Sequence, residues 1–126
     1  MKRLVAAAII AAAVIILCIC GNLFVNNICR ETEKMLDECT EAYRDNDYES
    51  ASEKAEKLRN TWDSKQGKLA LFVNHSMLDE ITYESTAMPY LASDAADGDF
   101  FASSAKISRL LMQIRRDQRI SCETFY

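Results

Sequence analysis

The chain has 126 residues, a formal net charge of −4, 49% hydrophobic residues and 27% charged ones. That length holds one domain and leaves no room for a separate cofactor-binding unit. Two of the 15 Lys and Arg precede a long apolar run and all 19 Asp and Glu follow it, so the body is acidic, repels phosphate backbones, and does not suit nucleic acid as a partner.

Residues 4–20 are 17 positions with no polar side chain other than two thiols. Gly21 and Asn22 interrupt the run and Leu23, Phe24 and Val25 resume it; as a helix the whole 22-residue stretch rises roughly 33 Å, about a hydrocarbon thickness. Lys2 and Arg3 stand before it and acids follow soon after, so the positive-inside bias places the N-terminus in the cytoplasm. A cleaved secretory signal begins similarly, but this apolar core is long for one and no convincing small-x-small triplet follows. Leu17 and Ile19, before Cys18 and Cys20, stand where a lipoprotein signal carries a small residue. The segment therefore reads as an uncleaved single-pass anchor in the cell membrane, residues 1–25, with the lipid bilayer as the partner of residues 4–25 and an extracytoplasmic domain over residues 26–126. Ala7 with Ala11 and Ala8 with Ala12 have the spacing that lets helices approach in lipid, and alanine is also ordinary span filler.

Beyond the anchor there is one proline, Pro89, and only Gly67 and Gly98 among glycines, too little punctuation for an all-β body. A first helix continues out of the membrane, bent near Gly21, with Val25, Ile28, Met35, Leu36, Cys39, Ala42 and Tyr43 at helical intervals. Asn46 and Glu49 have capping-box spacing and open a second helix, whose stripe is Tyr48, Ala51, Ala55, Leu58 and Trp62. Gly67 is the expected C-terminal cap. A third pattern follows through Leu69, Phe72, Val73, Ser76, Met77, Leu78, Ile81 and Tyr83, and Pro89 kinks or ends it. Asp94, Asp97, Gly98 and Asp99 form a polar turn before a fourth helix that buries Phe100, Phe101, Ala105, Ile107, Leu110, Leu111 and Ile114 and fades around Arg119.

The expected fold is all-α, an N-terminal transmembrane helix followed by a small antiparallel four-helix bundle. Residues 31–56 hold ten acids and three bases, and residues 106–119 hold five bases and one acid. The first and fourth helices are thus candidates to lie side by side; two solvated faces that never meet is the equal alternative.

The basic start and apolar anchor, Asp47-Tyr48-Glu49-x-Ala51 with Leu58 and Trp62, His75 with Leu78 and Asp79, and the closing Ile120-Ser121-Cys122-Glu123-Thr124-Phe125 together resemble the clostridial domain of unknown function 4363 family. These are small bacterial proteins with an N-terminal membrane helix. The resemblance spans nearly the whole chain and implies topology and fold, with no catalytic residue to carry over.

Candidate chemistry is sparse. His75 is the sole histidine, with Asp79 one turn on and Glu80 beside it, yet no second His or thiolate lies near enough in sequence to complete a metal site. A packing histidine bonded to a carboxylate is the expected role. Cys18 and Cys20 suit small apolar positions in the span, while Cys29 and Cys39, roughly 15 Å apart along one helix, are too distant to bond each other. Either could pair with Cys122 if the C-terminus folds back, or Cys29 could bridge two chains. The group Asp94, Asp97 and Asp99 lacks the length and closing Glu of a calcium loop and suits helix capping by Asp97 or Asp99. Asn74-His75-Ser76 matches a glycosylation triplet by letters alone. No phosphate-binding glycine loop and no serine elbow occurs. The expectation is a non-enzymatic module without catalytic, cofactor-binding or metal-ligating residues and without a cofactor. It would bind or assemble with a membrane or cell-envelope protein, most plainly through the acidic face of the first two helices, with Trp62, Tyr48 and Phe72 in the core. A ligand-sensing bundle acting through a partner's transmembrane helices is the alternative.

Overall fold

The computed structural model describes residues 1–124, with side-chain surroundings through residue 119. It contains four helices, α1 (Lys2–Arg44), α2 (Tyr48–Leu69), α3 (His75–Ser93) and α4 (Asp97–Thr124). α1 packs on α2 and α4, and α3 packs on the same two, which is the square of an up-and-down antiparallel bundle. α1 contains one segment long and apolar enough to cross a membrane. It is a single helix through Gly21, as the continuing pattern required, so the apolar segment and the bundle's first helix are one element with no loop between them. Residues 2–20 are exposed apart from half-buried Cys18, and packing begins at Gly21 and Val25.

The two distal connections share one chemistry. After α1, Asn46 is left-handed at φ 62°, and the amides of Asn46 and Asp47 donate back to Tyr43 O and Ala42 O, both at 3.0 Å. After α3, Ala95 is left-handed at φ 53°, and Ala95 and Ala96 donate to Ala92 O and Leu91 O at 3.3 and 3.1 Å. Both are Schellman endings, which satisfy carbonyls the helix leaves open. Asn46 is thereby spent as a C-terminal residue. The cap of α2 is Asp47, accepting from Ser50 N, and the cap of α3 is Asn74, accepting from Ser76 N.

Helix boundaries depart from the sequence expectation where burial outweighs local preference. α2 runs through Gly67 to Leu69. Gly67 lacks the positive φ a C-terminal cap requires, and fully buried Leu69 offsets the roughly 1 kcal/mol that a helical glycine costs. The third helix accordingly starts at His75 rather than at Leu69. Pro89 lies inside α3, which continues to Ser93 with Met88 and Ala92 buried on either side of it.

The core is built from Val25, Ile28, Leu36 and Cys39 of α1, Ala55, Leu58 and Trp62 of α2, Ile81 and Met88 of α3, and Phe100, Ile107, Leu111 and Ile114 of α4. Three expected core positions are elsewhere: Phe72 and Tyr83 are exposed, and Ala105 faces solvent while Ser103 and Ser104 are buried. Each adjacent helix pair also carries a polar tie. Cys39 Sγ donates to Ala51 O at 3.2 Å, Trp62 Nε1 to Thr82 Oγ1 at 2.9 Å, Ser103 Oγ to Glu84 Oε2 at 2.6 Å, and Arg115 Nε to Asn26 Oδ1 at 2.8 Å. Such bonds add about 1 kcal/mol each and fix register, because a slip of one turn orphans a buried group.

Candidate functional site

The end of the bundle away from the apolar segment is acidic. Exposed Asp45, Asp47 and Glu49 surround the first connection, and exposed Asp94, Asp97 and Asp99 the second. Asp97 Oδ1 accepts a hydrogen bond from the Tyr43 hydroxyl, tying the last turn of α1 to the first turn of α4. The Tyr43 ring stacks on Phe100 with centroids 3.9 Å apart and meets Tyr48 and Phe101 edge-on. Burial, then the Asp97 carboxylate, push the Tyr43 hydroxyl up to about 12. Asp97 and Asp99 do stand in the first turn of α4, where their charge favours the helix dipole. The side chain of Asp97, however, is engaged with Tyr43.

Below this cluster, α1 and α4 enclose a groove of about 550 Å³ lined by Asp37, Thr40, Glu41, Arg44, Phe101 and Ser108 among others. Thr40 Oγ1 and Ser104 Oγ are 3.2 Å apart across its floor, and Arg44 lies over the Phe101 ring at 5.8 Å. Asp37 and Glu41 are exposed on the rim. Elsewhere on α1 and α2, Glu31, Glu38, Glu53 and Glu56 are exposed, with exposed Lys34 and Lys57 among them. The groove can take a basic or polar side chain, with carboxylates for a cation and hydroxyls for hydrogen bonds. Sequence reasoning found the acidic residues and missed the groove, whose α4 wall is Phe101 with the small residues Ser104, Ala105 and Ser108, a set without any motif.

The remaining candidates fall apart spatially. His75 opens α3 and is exposed, together with Asp79, so the packing role expected of it does not hold. It borders a shallow depression with Asp63 and Gln66, and among the described residues no three His, Cys, Asp or Glu converge for a metal. Cys29 and Cys39 are fully buried. Burial pushes the Cys29 thiol up to about 12, helped by nearby Glu33, and the Cys39 thiol up to about 11. Both are inert protonated thiols at neutral pH. The side chain of Cys122, and with it any pairing to Cys29 or Cys39, lies outside the described residues.

A family model described as Domain of unknown function (DUF4363) matches residues 19–124. The chain belongs to this family. The match opens two residues before Gly21, where helix packing begins, so the DUF4363 domain is the bundle itself. No curated protein and no solved structure matches the chain. Of the residues that carried the resemblance, Asp47 caps α2 and Ala51, Leu58, Trp62 and Leu78 are core. In this DUF4363 domain they specify the fold, and the acidic groove lies outside them.

Proposed function

We propose that this chain is a single-pass membrane protein with its N-terminus in the cytoplasm and its bundle outside, acting as a non-enzymatic docking or assembly module for a cell-envelope protein. The observation that carries the reading is the unbroken α1. One helix joins the apolar segment to the acidic groove without a linker, so the groove is held at a set height and azimuth. Lys2 and Arg3 support the orientation through the positive-inside bias. The partner surface that fits is basic, because Asp37 and Glu41 line the groove with Arg44 as the sole base among its lining residues.

Two experiments test this. A photo-crosslinking residue at exposed Ala105, on the groove, gives a covalent adduct in cells. The same residue at exposed Tyr83 gives none, and Asp37→Lys with Glu41→Lys abolishes the first. Absence of any adduct from Ala105 overturns docking at the groove. For topology, buried Cys29 and Cys39 cannot report to an impermeant maleimide, so Ser64→Cys or Ser93→Cys, both exposed positions, supply the thiol. Labelling above the parent's background in intact cells supports an outward bundle, and labelling only after lysis overturns it.

A ligand-sensing role is the second reading, favoured by the groove's volume and hydroxyl-lined floor. It requires a small cationic or polar ligand and a partner's transmembrane helices for output. A thermal shift of the full chain in micelles with such ligands supports it; no shift across a broad set removes it and leaves docking intact.

A further inference from the structure

The apolar helix left outside the bundle is short for a membrane. Residues 4–20 are 17 positions and rise about 25 Å, against roughly 30 Å of hydrocarbon, and any tilt widens the gap. The rest of the apolar run is already inside the packing, with Gly21 and Val25 buried and Phe24 half-buried. The α2–α3 connection is fastened to that same level. A Cβ on Gly21 would stand 2.8 Å from Phe72 Cε1, and the Phe24 and Phe72 rings lie 6.0 Å apart. Whatever depth Gly21 takes, Phe72 shares.

That connection is apolar where turns are ordinarily polar, reading Ala70-Leu71-Phe72-Val73, with Leu71 81% and Phe72 44% exposed. With Leu17, Cys20, Gly21, Phe24 and Lys68 they line an open depression of about 440 Å³. α4 passes the same level at Gln118, whose Nε2 donates to Phe72 O at 2.7 Å, and the helix runs on to Thr124. It brings exposed Arg116 and Arg119, with exposed Asp117 between them, and Lys68 is exposed on α2. Arg115 is already paired with Glu33.

We propose that this end of the bundle is a membrane foot: Leu71 and Phe72 sit in the interfacial region of the adjoining leaflet while Lys68, Arg116 and Arg119 meet its phosphate headgroups. The inference rests on residues 4–20 spanning the bilayer and holds whichever side the bundle is on. Sinking the foot by about 5 Å supplies the missing hydrocarbon length, and basic side chains reach the headgroups from there by their long stems.

The test places single tryptophans in the full chain, reconstituted in phosphatidylcholine–phosphatidylglycerol vesicles with bromines at shallow or deep acyl positions, and subtracts the signal of parent Trp62. Leu71→Trp, at an exposed site that does not perturb folding, is expected to lose at least half its emission to shallow bromines. Tyr90→Trp, on the distal part of α3 and 65% exposed in the parent, stays unquenched. Ile10→Trp, quenched by deep bromines, reports the span. If Ile10→Trp is quenched and Leu71→Trp behaves like Tyr90→Trp, the foot is overturned and the span stands. If Ile10→Trp is unquenched, the span itself fails and the foot with it.

Discussion

Ala95 occupies the left-handed position that ends α3, at φ 53°, a conformation in which an L side chain crowds the following carbonyl at a cost of roughly 1–2 kcal/mol. Its side chain is exposed and contributes no core burial. Ala95→Gly removes the crowding but returns about 0.5–1 kcal/mol through the greater freedom of glycine in the unfolded chain. At the midpoints of those two ranges the expected net gain is about 0.75 kcal/mol. Trp62 provides the readout, as the only tryptophan, 1% exposed and bonded to Thr82, so its emission follows the bundle and not the span. In urea titrations of the full chain in micelles, a gain of that size moves the midpoint up by about 0.3–0.5 M at an m-value near 2 kcal/mol/M. Asn46→Ala is the mirror experiment: Asn46 holds the same conformation at φ 62°, and alanine there lowers stability by about 1 kcal/mol. A midpoint for Ala95→Gly at or below the parent's refutes the assignment of a strained Schellman ending.

Thr82→Val keeps the shape of the α2–α3 contact but leaves the indole N–H of buried Trp62 without its acceptor, and is expected to lower stability by about 1–3 kcal/mol with a shift in the emission maximum. Cys29, Cys39 and Tyr43 all have raised proton affinities in the fold, from 9.0 to about 12, 9.0 to about 11 and 10.0 to about 12. The unfolded chain therefore releases these protons first. Their stabilising contribution is complete below pH 9 and fades as pH rises toward 12, which urea midpoints across that range will show; a flat profile refutes it. For the same reason Cys29 and Cys39 should react with a small disulfide reagent at the rate of unfolding and not at the rate of exposed thiols.

Much of the architecture was legible in periodicity. The stripe of Ala51, Ala55, Leu58 and Trp62 and the run Ile107, Leu110, Leu111 and Ile114 are buried as their spacing required. The opposite charges on α1 and α4 did meet, at Arg115 and Glu33, 3.4 Å apart. What sequence misplaced were ends and exceptions, each decided by tertiary burial or by competition between two local roles. Asn46 has the letters of an N-terminal cap, but one residue cannot also close the preceding helix, and Asp47 takes the cap. Phe72 and Tyr83 look like core by type and lie outside it: Phe72 because α3 begins only at His75, and Tyr83 because it stands two residues, about 200° round the helix, from buried Ile81. The groove was illegible because its walls belong to helices far apart in sequence: Thr40 meets Ser104 across it, its serines carry no periodic signal, and Ala105 reads by spacing as core.

On the proposed docking role, the unbroken α1 sets what a partner must look like. Thr40, at the groove, follows Gly21 by 19 residues and so stands about 28 Å further along the helix. With the span in the bilayer, a membrane partner with short loops cannot touch the groove; the partner needs a folded domain of its own at that height. Azimuth is fixed as well, because each residue inserted in a helix turns everything beyond it by about 100°. Two alanines inserted after Val14 turn the groove about 160° from its original bearing relative to the N-terminal part of the span, whereas four leave it within about 40°. For a partner held by both span and groove, crosslinking from Ala105 is lost with two and kept with four. Equal crosslinking in both refutes rigid coupling and assigns recognition to the bundle alone.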